Sequence, residues 1–321
     1  GELGREKRIY TNKFDSAEFY QMNDFINKIL LGDARKLAAT LPHNSIQCII
    51  TSPPYWGLRH YGDNSDEEIG RENTIAEYVK DLVDVFHALF PILKDNGSFW
   101  LNLGDTYRNE NLMGIPWRVA LALQDDGWIL RNDVIWHKPN AMPSSVKNRL
   151  TVDHEYLFFF TKERTGYYYD IDAIREEHIT FSEKSKMKGG RKHFSGDMTT
   201  PENGKNKGNS NLHTGDWSKA FNPKGRNKRT VWEIPLSKSR DSHFAVFPEK
   251  LITPCILASS SLNDIILDPF MGSGTTAITA LKNQRNFVGF ELEEKYQIMA
   301  TEKIKEYQHN NSLPLFEAVN M

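Results

Sequence analysis

A short apolar run that breaks off abruptly into a rigid or glycine-rich turn occurs twice in this chain, and it constrains the fold more than any other feature. The first run is IQCIIT (46–51), which leads straight into SPPYW; the second is IILD (265–268), which leads into PFMGSGTTA. Runs of this length, bounded by turn formers, read as strands buried on both faces, the condition of a parallel sheet covered by helices. Around them strand and helix alternate. Ile75, Val79, Leu82, Phe86, Leu89 and Leu93 recur at helical spacing, and Asn96-Gly97 reads as the close of that helix. SFWLNL (98–103) follows as a strand, then a helix from Pro116 to near Gly127, then strands WILRNDVIW (128–136) and EYLFFFT (155–161). Beyond a long irregular stretch come a helix from Pro248 to Ser259, the strand 265–268, a helix from about Thr275 to Lys282, strand NFVGFE (286–291) and a last helix. The expectation is an α/β fold: a mostly parallel sheet with helices on both faces and ligands at the carboxyl ends of the strands.

Composition sets the outer limits. With 39% hydrophobic residues in 321, a sizeable core can form, which excludes a collagen, a coiled coil and a wholly disordered chain. No apolar run approaches the roughly 18 residues of a membrane span, and the N-terminus lacks a signal pattern, so no membrane partner and a cytoplasmic location are expected. Cys48 and Cys255 cannot make a disulfide framework or a zinc site unaided, and the histidines lack ligand spacing, so no metal is expected. The net charge of −2 hides an asymmetry. Residues 182–229 hold 12 Lys and Arg against 4 Asp and Glu, and 189–225 hold seven of the 21 glycines. That stretch reads as a site for an anionic partner such as nucleic acid, or else as a solvated spacer.

DPFMGSGTTA (268–277) follows a strand and opens a helix, the setting in which a glycine turn lets backbone N–H groups approach a ligand. Glu291 ends the next strand, where an acid can accept hydrogen bonds from ribose hydroxyls. Gly272, Gly274 and Ala277 also satisfy the loose dinucleotide pattern, so a nicotinamide-dependent dehydrogenase competes on this motif alone. Only 30 residues follow Glu291, too few for the rest of a dinucleotide fold, so most of the sheet must come from upstream. No Lys precedes Thr275 or Thr276, which sets a phosphate-loop nucleotidase aside.

In TSPPYW (51–56) two prolines fix φ, so the Ser52 hydroxyl and the Pro53 carbonyl become rigid acceptors, with the flat face of Tyr55 beside them. Such a site suits a planar group bearing an NH2. The exocyclic amine of a base is conjugated and a poor nucleophile, and acceptors that draw density toward its nitrogen help it attack a sulfonium methyl.

IITSPPYW together with DPFMGSGTT resembles the S-adenosylmethionine-dependent amino-methyltransferases of DNA, and the order, catalytic loop before cofactor turn, resembles their circularly permuted β class. The likeness covers about 30–306. Companion stretches fit it: GDA (32–34), LNLGDTY (101–107), VIWHKPN (134–140), HEYLFFFTK (154–162) and HFAVFPEKL (243–251). The resemblance implies a Rossmann-like methyltransferase fold in permuted order. It divides the chain into a catalytic half (1–177), a basic target-recognition insertion (178–238), a cofactor-binding half (239–308) and a tail (309–321).

The resemblance makes Ser52, Pro53, Pro54 and Tyr55 the catalytic set. Asp33, Asp268, Pro269, Phe270, Gly272, Ser273, Gly274, Thr275 and Glu291 are its cofactor residues for S-adenosyl-L-methionine, with His243, Phe247 and Pro248 completing the pocket. Lys184, Lys186, Lys188, Arg191, Lys192, Lys224, Arg226, Lys228 and Arg229 are its DNA contacts. SPPY rather than DPPY points to the N4 of cytosine, with the N6 of adenine as the rival and an inactive DNA-binding regulator as the reading from another class. The implied substrate is double-stranded DNA from which the base is flipped, and a homodimer and a cognate restriction endonuclease are the further partners the family suggests. The cytoplasm expected is that of a prokaryote or its phage. Pro254-Cys255 mimics the dipeptide that carries the nucleophile in C5-cytosine enzymes, but it lies in an apolar helix before the glycine turn, where a core cysteine is expected.

Overall fold

The computed structural model describes residues 21–57, 68–178, 222–236 and 247–312. An eight-stranded sheet runs through them in the order β1-β10-β9-β2-β3-β7-β6-β8. The strands are β1 (Lys28–Leu31), β2 (Ile46–Thr51), β3 (Leu93–Leu103), β6 (Ile129–His137), β7 (His154–Thr161), β8 (Val231–Glu233), β9 (Ile265–Asp268) and β10 (Asn286–Glu291). A separate hairpin pairs β4 (Tyr107–Arg108) with β5 (Asn111–Leu112). Neighbours from β1 across to β3 are parallel; β7 alone runs against both of its neighbours, β3 and β6. The expected mostly parallel sheet is present. Its permutation is visible in the order, because β9 and β10, late in the chain, lie between β1 and β2.

Strand periodicity distributes the core to two faces. On β3, Phe99, Leu101 and Leu103 point to one side and Trp100 to the other; on β7, Phe158 and Phe160 oppose Leu157 and Phe159. The first face is covered by α1 (Ala34–Ala38), α2 (Ile75–Leu89) and α3 (Ile115–Asp126). Side chains of α4 (Glu249–Ser259), α5 (Thr275–Lys282) and α6 (Glu294–Ser312) cover the second. Among the described residues no helix is long and apolar enough to cross a membrane. Cys255 is fully buried in α4, its Sγ turned to the Leu251 carbonyl at 3.5 Å, and burial pushes its thiol well above the ordinary range. It is a core residue.

Three expectations about elements need correction. The α2 helix stops at Leu89 rather than at Asn96-Gly97, since Pro91 cannot continue the hydrogen-bond ladder, and Leu93 already belongs to β3. Asn96 and Gly97 instead occupy a bulge where β3 slips against β2, between the pairs Ile46–Leu93 and Cys48–Ser98. Residues 231–233, expected inside the insertion, form β8 and extend the main sheet parallel to β6. The last helix runs on to Ser312, past the boundary expected at 308.

A Cβ added at Gly97 would lie 2.7 Å from Leu93 Cδ1 and 2.9 Å from the Gln47 carbonyl oxygen. Gly97→Ala should therefore cost about 1–3 kcal/mol through overpacking, read as a lower midpoint in denaturant melts. An unchanged midpoint would show that the bulge yields freely.

Candidate active site at the carboxyl edge of the sheet

Strands β2 and β9 are neighbours whose connections leave in opposite directions, β2 toward β3 and β9 toward β10. Such a switch point opens a crevice beyond the carboxyl ends of the strands. Both motif loops start there. They are tied by a buried carboxylate: Asp268 accepts from the Thr51 hydroxyl at 2.6 Å, from the Thr276 hydroxyl at 2.6 Å and from the Phe270 N–H at 3.0 Å. Burial outweighs these donors and pushes the carboxyl from the usual 3.8 up to about 6.

A cavity of about 340 Å³ fills the crevice. Ser52, Pro53, Pro54, Tyr55, Asp33, Asp268, Pro269, Phe270, Gly272, Ser273, Thr275, Glu291 and Phe247 all line it, so the structure brings together residues up to 258 positions apart. Pro248 and Gly274 do not line it. Pro248 caps α4, while Gly274 opens α5 at φ 81°, where an added Cβ would lie 3.2 Å from the Cβ of Ala300. His243, Lys184, Lys186, Lys188, Arg191 and Lys192 lie outside the described residues.

At the β10 end, the Glu291 carboxylate holds the glycine turn by accepting from the Gly272 N–H at 2.8 Å, and it also accepts from the Glu293 N–H at 3.1 Å. Burial raises its carboxyl. Asp33 caps α1 and is gripped by the Arg35 guanidinium at 2.6 Å. Burial works to raise the Asp33 carboxyl, but Arg35 and the backbone donors of α1 together bring it below its usual value.

At the β2 end, the Ser52 hydroxyl donates to the Tyr55 oxygen at 3.4 Å, and Tyr55 donates to Glu155 at 2.7 Å. Glu155 lines the cavity; it also accepts from Asn102 at 3.1 Å and from Lys138 at 2.9 Å. Burial, with the nearby Glu155 charge, pushes the Tyr55 phenol well above its ordinary range, so it stays a neutral donor. The Pro54 carbonyl is occupied by the Tyr78 hydroxyl at 2.8 Å, and Trp56 donates its ring N–H to the Glu72 carbonyl at 2.9 Å. Gly104 lets the Tyr55 ring seat, since a Cβ there would stand 2.7 Å from Tyr55 Cε2.

The sequence does not single out Glu155 or Asn102 as site residues, and it leaves Lys138 between a site or DNA contact and a surface residue. Each lies inside one of the companion stretches, HEYLFFFTK, LNLGDTY and VIWHKPN, and that was the available signal.

Six carboxylates line the cavity (Asp33, Glu68, Glu155, Asp268, Glu291 and Glu293) and, among the described residues, no Lys, Arg or His does. Such a lining favours a cationic ligand over a pyrophosphate. Of the basic residues expected on DNA, Lys224, Arg226, Lys228 and Arg229 are among the described residues. Lys224 pairs with Asp172 at 2.7 Å, while Arg226 and Lys228 pair with Glu176 at 3.1 and 3.0 Å. Together with the backbone bridge between Glu176 and Arg226, these pairs join residues 172–176 to residues 224–228. The Arg229 carbonyl accepts from the Trp232 ring N–H beside β8.

A raised folded-state pKa favours folding when the group is protonated. The Asp268 contribution is therefore fully present below about pH 3.8 and is lost as pH rises through about 6. From pH 4 to 7, without ligand, the unfolding free energy of the unaltered chain should fall relative to that of Asp268→Asn. Parallel curves would mean that this carboxyl titrates normally.

The family of N6/N4 methyltransferases, described as DNA methylase, matches residues 46–302. The Type II methyltransferase M.Cfr9I of Citrobacter freundii is 38% identical over 303 residues, covering 85% of this chain and 86% of that protein. M.SmaI of Serratia marcescens is 37% identical over 308 residues, covering 86% and 90%. Among solved structures, the cytosine-N4-specific PvuII DNA methyltransferase superposes with a TM-score of 0.59 at 20% identity, over 88% of this chain and 91% of that one. A protein of Thermus thermophilus, solved with S-adenosyl-L-methionine, gives 0.56 at 23% identity over 88% and 94%. At these identities the two structures establish a shared Rossmann-like fold. With a family match across most of its length and relatives near 38% identity, this chain belongs to the N6/N4 family of DNA methyltransferases.

Proposed function

We propose that the chain methylates the exocyclic N4 amine of a cytosine flipped out of double-stranded DNA, using S-adenosyl-L-methionine. The observation that carries this reading is the directed chain from Ser52 through Tyr55 to Glu155 inside the cavity that also holds Glu291 and the glycine turn. Because Tyr55 spends its hydrogen on Glu155, its oxygen accepts the Ser52 hydrogen, and the Ser52 lone pairs are left to accept from an amine. Similarity to a cytosine-N4-specific enzyme supports the choice of base, as does the neutral serine at the head of the loop.

The residues present fit the cofactor. A cavity lined by carboxylates suits a sulfonium, Gly272 permits close backbone approach, and Glu291 and Asp33 offer acceptors to ribose hydroxyls and to the adenine end. When bound, S-adenosyl-L-methionine supplies an electrophilic methyl at its sulfonium. Ser52 Oγ and the Pro53 carbonyl hold the amine hydrogens and draw electron density toward the nitrogen, while the Tyr55 ring offers a face to the base. With the cofactor bound, the amine nitrogen would take the methyl carbon as the carbon–sulfur bond breaks, S-adenosylhomocysteine would leave, and the surplus amine proton would pass to solvent. Extrusion of the base costs roughly a few kcal/mol, offset by contacts in the cavity.

Incubation with S-adenosylmethionine and unmethylated genomic DNA, digestion to nucleosides and mass spectrometry should yield N4-methylcytosine. N6-methyladenine would overturn the choice of base, and no product at all would overturn the enzyme. Ser52→Ala, Tyr55→Phe and Glu155→Gln should each slow transfer by about a hundredfold while cofactor affinity, read from the cofactor-induced rise in melting temperature, stays nearly unchanged. Glu291→Ala should do the reverse and weaken cofactor binding by about tenfold or more. Equal losses of cofactor affinity in both groups would contradict this division between the two ends of the cavity.

A further inference from the structure

The loop between β6 and β7, residues 138–153, is pinned at its base and bare along its length. The Lys138 N–H donates to the Asp153 carbonyl at 2.7 Å, and the Asn140 side chain donates to the Leu236 carbonyl and accepts from its N–H, at 3.1 and 2.7 Å. Between those anchors Met142 is 81% exposed and Leu150 90%, with Val146 and Val152 exposed as well. Large apolar side chains concentrated on one loop in water mark a contact surface more often than a spacer.

Charge and position say what the surface meets. From 138 to 153 the loop carries Lys138, Lys147 and Arg149 against one acid, Asp153. The Arg149 guanidinium lies 3.5 Å over the ring of Tyr107 in the β4–β5 hairpin, and the next hairpin residue, Arg108, lies 5.0 Å over Trp56. Trp56 directly follows Tyr55, and Lys138 binds the Glu155 that lines the cavity. Loop, hairpin and SPPY turn therefore adjoin one another beside the cavity, with Arg108, Lys147 and Arg149 outnumbering Glu110 and Asp153. A symmetric contact between two copies of the loop would set like charges together.

Resting on the function proposed above, we propose that this surface is where the duplex docks: Lys147 and Arg149 meet the phosphates that flank the target, and Leu150 enters the stack where the base has left it. An apolar wedge holds an unstacked step open, and its value falls when the step is already weak.

The test uses the full chain and a duplex bearing the methylated site, once with the target base correctly paired and once mispaired. Leu150→Ala should slow transfer about tenfold on the paired target, recover most of that loss on the mispaired one, and leave cofactor binding and the salt dependence of DNA affinity unchanged. Lys147→Ala and Arg149→Ala should weaken DNA binding and each lower the salt slope by about one. If the unaltered chain methylates DNA and Leu150→Ala is as fast on both duplexes, the role of the loop is overturned while the activity stands. A loss that mispairing does not rescue, accompanied by dissociation of a dimer, would overturn it in favour of a second copy of the chain. No transfer by the unaltered chain would strike the underlying activity and the proposal with it.

Discussion

The three hydrogen bonds accepted by Asp268 hold this site in one piece. They join Thr51, at the last position of β2, to Thr276 in the first turn of α5, across 217 residues of sequence between Thr51 and Asp268. Strands β2 and β9 already pair in the sheet, and this join adds a side-chain tie where the two motif loops leave it. With it, the SPPY loop and the glycine turn face one cavity from fixed directions. The arrangement requires an ionisable carboxyl in a fully buried place, which is why that carboxyl is pushed up to about 6.

The two ends of the cavity use the same device for different tasks. At one end Glu291 ties the Gly272 N–H and so fixes the shape of the glycine turn. At the other, Glu155 fixes the Tyr55 hydroxyl and, through it, the direction of the Ser52 hydrogen. Lys138 pairs with Glu155 without lining the cavity, so the lining keeps its carboxylate character. A positively charged ligand and a neutral amine can share such a space; a second anion cannot do so without cost.

Much of this was legible in the sequence, for identifiable reasons. Strands β9 and β10 fall where the apolar runs IILD and NFVGFE place them, since strands buried on both faces announce themselves locally. The residues of TSPPYW and DPFMGSGTT lie together at the cavity because each motif follows directly on a strand and strand ends share an edge. Glu155, Asn102 and Lys138 were not legible as a group. They sit on three separate stretches of chain, and nothing local says that their side chains converge on Tyr55 and its partner. The short strand β8 follows a glycine- and lysine-rich stretch whose composition conceals it, and its Trp232 is buried against the second face. The ion pairs of Lys224 with Asp172 and of Arg226 and Lys228 with Glu176 depend on a chain reversal that composition does not encode.

We propose that a single cavity takes the cofactor at its Glu291 end and the target amine at its Ser52 end. A crystal structure with S-adenosylhomocysteine and a short duplex containing the methylated site tests it most directly. The expected result is a cytosine turned out of the helix, its N4 within hydrogen-bonding distance of Ser52 Oγ and the Pro53 carbonyl, with the ribose of the cofactor product against Glu291. A base seated away from Ser52, or a cofactor product bound outside this cavity, would contradict it.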